Sequence, residues 1–361
     1  LKNNMMIKTN LAPKSVDSIS DMFTEGMVYG RLRSNAFKWD WKNDDVAATG
    51  NKDNKAFGLG GSLIYKTASL NGLSAMAGLY YTSSPFSALR DDLADIKYTK
   101  AGKDTFSRHQ LNTGGTWAYA VLAEAALQYK VADTTFVAGR QIFESFLTKS
   151  NDTKMIPNTF EGFTLTTNAV ADTRIRGAYF TSQKLRDHTT FHDVITFKDG
   201  AGASWNNNDD SAIHKGLSYA NFTAAGEDTN HELIVVDMRN KSVKNLQLDL
   251  TYGSVPNVLS SITGEVNYKV DMGNGYSLTP GVRYMKQMDN GGGVIGGAGL
   301  SGTVTAANAT AMGYKDGDSL DTSLAMARLV LKKGPLKAQV GYSAVADEAD
   351  IVAPWRGFPT G

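Results

Sequence analysis

The chain has 361 residues, with 37 Lys and Arg against 36 Asp and Glu and no cysteine. A formal net charge of +1 excludes binding through a strong overall field, so any charge selectivity must come from where charges point. No apolar run of about twenty residues is present to span a bilayer as a helix, and a slightly negative mean hydropathy with 36 Gly, 15 Tyr and 15 Phe fits a large soluble β protein or an outer-membrane barrel, whose two faces average out.

Residues 1–23 show neither the apolar core nor the small-residue cleavage site of a secretion signal. They are expected to form a periplasmic tail or short plug, ahead of a single domain over 24–361, since no Pro/Ser-rich linker divides the remainder. From Glu25 the chain falls into the period of two that marks half-buried strands. Tyr29, Arg31, Arg33 and Asn35 share one face of the first, and Val28, Gly30, Leu32 and Ala36 the other. Two further runs, 55–66 and 73–83, are joined by a tight turn around Ser69, Asn71 and Gly72. A polar insert over about 83–115 precedes the run 116–131, whose AVLAEAALQ favours helix by propensity. It is read as a strand because Trp117, Tyr119, Val121 and Leu127 share parity.

The stretch Gly139–Gly162, GRQIFESFLTKSNDTKMIPNTFEG, lies between two strand-like runs that look like hairpin partners. Hairpin loops usually hold about two to five residues, so an insert of roughly fifteen needs another reason to persist. Phe146, Met155 and Ile156 stand beside Lys149, Asn151, Asp152 and Lys154, which suits a loop, about 143–160, folded inward to narrow a barrel. A surface loop with a few apolar residues is the alternative.

Beyond it, Arg174 and Arg176 oppose Ile175 and Tyr179. A long loop over about 186–230 follows, and then the alternation is most regular: Asp237 and Arg239 oppose Ile234 and Val236, Asp249 opposes Leu248 and Leu250, Glu265 opposes Val266, Arg283 opposes Val282 and Tyr284, and Arg328 opposes Ala327 and Leu329. Connections alternate between short turns, near Asn71, Asp133, Ala171, Lys241, Asn274 and Gly334, and mostly long inserts. That asymmetry belongs to outer-membrane barrels. Tyr80, Tyr81, Trp117, Tyr129, Tyr252, Tyr268, Tyr284 and Tyr342 recur as an interfacial girdle would require. A β-sandwich also permits wet and dry faces and stays open as the competing fold.

The run VAGRQIFESFLTKSNDTKMIPNTFEGFTLTT, with Gly139, Gln141, Lys154, Pro157 and Gly162, resembles the third extracellular loop region of the OprD family of substrate-specific outer-membrane porins, most of all those of epsilon-type proteobacteria. The likeness continues through RGAYF, the run from HELIVVDMRN to GVRYMKQ, and APWRGFPTG. It implies an all-β fold, a transmembrane antiparallel up-and-down β-barrel of about eighteen strands, in the outer membrane of a Gram-negative bacterium. It further implies inward loops, a basic ladder on one pore wall, and passive uptake of small carboxylate-bearing solutes such as amino acids. About thirteen strands are countable, and an open set would leave unpaired edges in hydrocarbon. The last strands of the barrel are therefore expected to lie outside this sequence.

By parity, Arg31, Arg33, Arg174, Arg176, Arg239, Arg283 and Arg328 are expected to line the lumen, sharing it with Glu25, Glu124, Asp237, Asp249, Glu265 and Asp271. Guanidinium groups stay charged and bind carboxylates bidentately, so a row of them can pass an anion between weak sites. Simple pairing with neighbouring carboxylates is the alternative role. Gln141, Lys149, Lys154 and Asn158 are the candidate constriction contacts. Expected partners are outer-membrane lipid and lipopolysaccharide and small anionic or zwitterionic solutes, with no nucleic acid and no cofactor; monomer and homotrimer both stay open.

Other motifs carry less. Gly297–Gly302 matches GxGxxG without the strand and helix that a dinucleotide site needs, and 206–210, NNNDD, could hold a cation but reads as a solvated loop tip. His109, His188, His192, His214 and His231 show no metal-binding pattern; His188 and His192, four apart, would need a helix to meet and have no third ligand. No motif links Ser, His and acid residues into a hydrolase site, so no enzyme is expected. The function class competing with a channel is a structural or adhesive barrel whose surface loops bind partners.

Overall fold

The computed structural model describes residues 13–42, 53–93, 95, 105–106, 111, 115–149, 155–186, 188–196 and 214–355. Its frame is one antiparallel sheet of long strands: β2 (Met27–Trp39), β3 (Asn54–Lys66), β5 (Leu73–Ser83), β6 (Ala118–Val131), β7 (Thr134–Gln141), β8 (Thr159–Val170), β9 (Thr173–Lys184), β10 (Leu233–Asn240), β11 (Leu246–Val255), β12 (Leu259–Tyr268), β14 (Tyr276–Asp289), β15 (Thr322–Lys333) and β16 (Leu336–Val345). Three short strands complete it: β1 (Ser15–Val16) and β4 (Ser69–Leu70), which pair in parallel, and β13 (Val270–Gly273), which extends β12 along β14. Each long strand pairs with the next along the chain, so the order is up and down throughout, with β2 and β16 as unjoined edges.

Short connections gather at one rim, where Asn71, Ala132, Asp172, Asn245 and Asn274 take positive φ and reverse the chain in a few residues. Longer segments gather at the other rim, although there β11 and β12 are joined by a tight turn through Asn257, φ 60°.

The period of two sorts the side chains as read from the sequence. Val28, Leu32, Leu63, Phe163, Val282 and Val340 are exposed on the outer face, Leu32 at 94%. So broad an apolar exterior would aggregate in water and suits acyl chains. The inner face carries the arginines and acids at mid-height, and near the long-loop rim an apolar plug of Phe143, Leu147, Phe160, Phe180, Leu233 and Trp355, to which three inward segments contribute.

On β6 the side chains depart from the parity read from the sequence. Pairing of β5 with β6 slips between Gly78 and Leu79, leaving Ala123 as the extra residue of a bulge. Tyr119 and Val121 therefore point inward, while Leu127, on the far side of the bulge, points out at 56% exposure. Trp117 packs inward beside Phe106, and Tyr80 is buried inside, so neither belongs to an outer girdle. The strand assignment itself holds, because pairing on both sides overrides the helical propensity of AVLAEAALQ. Glu25 is not in the wall: it caps a short helix, Ile19–Thr24, and pairs with Lys14 at 2.7 Å. Asp271 is exposed at the short-turn rim.

Candidate functional site

Register aligns the charged residues in rows across the inner wall. One row runs Arg174, Arg239, Asp249, Glu265, Arg283, Met326 and Ser343, each directly opposite the next on β9, β10, β11, β12, β14, β15 and β16. Two residues toward the long loops, Arg176 faces Asp237. Two residues toward the short turns, Asn267 faces Gly281, which faces Arg328. Neighbours in a row stand about 5 Å apart and rows about 7 Å apart, so every guanidinium lies within reach of the next.

The guanidiniums of this wall divide into two groups. Arg176 and Arg283 have side chains only 15% and 9% exposed. Arg176 binds Asp237 through Nε at 2.9 Å, donates to the carbonyl of Glu144, and lies 4.5 Å over the ring of Phe143. Arg283 binds Glu265 at 2.6 Å and lies 4.4 Å over the ring of Phe146. Both arginines thus hold the segment 142–149 against the wall by cation–π contact. Arg174, Arg239 and Arg328 stay 36%, 40% and 38% exposed. Arg239 pairs with Asp249, and Arg328 with Glu265 at 2.7 Å and Asn267 at 2.8 Å. Arg174 is the least committed: its nearest carboxylate oxygen among the described residues, on Asp237, is 3.9 Å away, and its Nε has no hydrogen-bond partner.

Arg31 and Arg33 sit half-buried on the inner face of β2, where Arg33 Nε donates to Asn35 at 3.1 Å. Across that wall Tyr80 donates to Glu124 at 2.6 Å, in an enclosed cluster with Tyr29.

The described parts of the insert, 142–149 and 155–158, fold inward, and its base is built from the residues the sequence singled out. Gly139 and Gly162 face each other at φ 115° and 153°, and a Cβ on either would collide with a backbone carbonyl of the adjoining strand. That close approach lets the Gln141 amide donate to both glycine carbonyls at 3.3 Å, while its oxygen accepts from Thr164 at 2.7 Å. Gln141 is therefore a buried brace. Asn158 is likewise 2% exposed, donating to Gln183 and to the carbonyl of Trp355 at 3.4 Å. Lys149 is exposed, and Lys154, Asn151 and Asp152 lie outside the described residues. The sequence pattern missed the aromatic caps; aromatic spacing in the insert against arginines two and six strands along the sheet from β7 has no local signature.

Trp355 ties three segments together, its indole donating to Val194 at 2.9 Å. In the segment 185–196, His188 Nδ1 and His192 Nε2 are 3.0 Å apart, meeting without the helix that their spacing suggested. His192 Nδ1 contacts the carbonyls of Asp193 and Thr196, so it must carry the proton, and Nε2 must accept from His188. Burial, with His188 alongside, depresses the His192 pKa to about 3. Burial would raise Asp193, but its hydrogen bonds with His231 and the Thr196 amide prevail and lower it. The stretch 206–210 and His109 fall outside the described residues.

A family profile described as outer membrane porin, OprD family, matches residues 99–350. Among solved structures, OccK8 (OprE) of Pseudomonas aeruginosa is 16% identical over 91% of this chain and 70% of its own, with TM-score 0.64. OccAB3 of Acinetobacter baumannii is 11% identical over 90% and 67%, TM-score 0.60. Pseudomonas aeruginosa OpdK, solved with vanillate, is 12% identical over 89% and 66%, TM-score 0.56. No curated protein sequence matches. At these identities the solved structures speak for the fold, and the profile for the family.

Proposed function

The chain belongs to the OprD family of outer-membrane porins of Gram-negative bacteria, and on that premise we propose that it passes small carboxylate-bearing or zwitterionic solutes, amino acids and small organic acids, by passive diffusion along the arginine rows. The single observation that carries this reading is the surplus of guanidinium on one wall. Among the described residues, the ion pairs of Arg174, Arg176, Arg239, Arg283 and Arg328 on that wall are made with three carboxylates, Asp237, Asp249 and Glu265.

The division of labour follows from exposure. Arg174, Arg239 and Arg328 face the bore and offer hydrogen bonds to a passing carboxylate. Each already shares its charge with a wall acid, which keeps the solute weakly held, as conduction needs. Spacing of about 5–7 Å lets a carboxylate engage the next guanidinium before leaving the last. The acids give an ammonium group its own partners, so a zwitterion travels oriented. Vanillate, found with OpdK, is a carboxylate of this chemical class. Outside, the apolar band meets outer-membrane lipid, with lipopolysaccharide around the long-loop rim.

Liposome swelling tests the reading. Arg174→Ala with Arg239→Ala is expected to slow entry of a small carboxylate several-fold more than that of a neutral sugar of equal size. Equal slowing of both would reduce the arginines to wall material.

A further inference from the structure

The helix Ile19–Thr24 takes no part in the bore, and its packing explains where it lies. Ser18 caps it, accepting from the Asp21 amide at 3.1 Å. Two of its carbonyls fasten it to the short-turn rim: Ala68 N–H donates to Met22 at 2.8 Å, and Tyr65 Oη donates to Phe23 at 2.6 Å. Just before it, β1 pairs with β4, and Ser69 N–H donates to the carbonyl of Lys14 at 2.7 Å.

Tyr65 fixes which side of the wall the helix occupies. It stands directly opposite Val28, which is 63% exposed on the outer face, so the phenol and the helix it holds lie outside the bore. At about 100° per residue, Met22, Ile19 and Phe23 fall within one stripe roughly 100° wide, and Ser20, Thr24 and Asp21 fill the other side. Met22, at one edge of the stripe, is buried at 7%. Ile19 and Phe23, one turn apart, are exposed at 69% and 56%. Above them on the same outer face begins the apolar band of β2 and β3, with Val28, Leu63 and Leu32.

We propose that this helix is an interfacial anchor, with Ile19 and Phe23 resting in the headgroup–acyl boundary of the phospholipid leaflet that surrounds the short-turn rim. The occupant follows from continuity: the exposed pair extends the lipid-facing surface downward, on an element whose polar side turns to water. Short helices in this position bind by buried apolar area, and here the barrel supplies the rest of the hold on the membrane. The exposed Lys14–Glu25 ion pair, 2.7 Å apart, closes the segment at its two ends.

Because the chain has no cysteine, single nitroxide labels can be placed by Ile19→Cys, Phe23→Cys, Asp21→Cys and Val28→Cys, with the whole protein reconstituted in phosphatidylethanolamine/phosphatidylglycerol vesicles. Collision rates with oxygen and with a water-soluble nickel chelate report depth. Labels at 19 and 23 should show an oxygen-to-nickel ratio several-fold above that at 21 and below that at 28. Equal ratios at 19, 21 and 23 would put the pair in water and overturn the proposal. Protection of 19 and 23 from both reagents would overturn it too, since the pair would then be covered by protein, whether by this chain or by a second copy.

Discussion

Glu265 is the residue on which the charged wall turns. It is 6% exposed and accepts from Arg283, Arg328 and Asn267 at 2.6–2.7 Å, so one carboxylate orients two guanidiniums and an amide. Glu265→Gln keeps the shape and removes the charge, leaving the bore-facing Arg328 and the enclosed Arg283 without their carboxylate partner. Anion-over-cation permeability should rise, read as a shift of reversal potential in a salt gradient; an unchanged potential would show that Glu265 is screened from the current path. Gly281 matters for a different reason. A Cβ there would overlap Asn267 Oδ1 and stand 3.2 Å from Arg328 Nε, so both side chains would have to shift. Gly281→Ala should lift Arg328 off Glu265 and slow carboxylate entry several-fold, with neutral sugars little affected; parallel losses would mean simple obstruction. Parity made the inward direction of Arg239, Arg283 and Arg328 legible, because alternation is a local property. Which arginines face solute and which are capped by Phe143 and Phe146 was not legible, since those contacts join residues far apart in sequence.

At the scale of elements, the inward segment 142–149 rests on aromatic contacts. Phe143 is 5% exposed and also meets Phe180 edge-on at 5.4 Å; truncating such a side chain costs about 3–5 kcal/mol, as much as a short segment is held by. Phe143→Ala with Phe146→Ala should therefore release it and raise single-channel conductance, while also weakening the hold on Arg176 and Arg283. A conductance equal to wild type would mean the segment is fixed by its buried braces, Gln141 and Asn158, alone. The segment around His188 and His192 is expected to respond to acid. Its folded state holds His192 neutral, with a pKa lowered from 6.5 to about 3, whereas the opened segment takes up a proton near its ordinary value. The folded arrangement is thus fully favoured above about pH 6.5 and loses stability progressively as pH falls toward 3. Amide exchange within 185–196 should speed up between about pH 7 and pH 4, after correction for intrinsic rates. Flat protection across that window would contradict the buried, accepting Nε2. The existence of both segments could be inferred from their length, but the segments' partners could not. A tautomer imposed by two carbonyls leaves no trace in spacing.

At the scale of the molecule, alternation and turn placement carried most of the fold. The long strands, their order and the two unlike rims all follow from a period of two punctuated by residues that tolerate positive φ. The exceptions have physical causes. The bulge at Ala123 inverts part of β6, because one extra residue reverses every side chain beyond it, and no composition signal announces it. The helix Ile19–Thr24 is too short to show a period. The whole is a wall with lipid outside and surplus guanidinium inside, and that surplus is open to one direct measurement. With the protein in a planar bilayer under a salt gradient, current steps should reverse at a potential of the sign that marks anion preference. Arg174→Ala with Arg239→Ala should move the reversal potential toward zero. Cation preference in the unaltered protein, or a reversal potential indifferent to losing both arginines, would contradict the account.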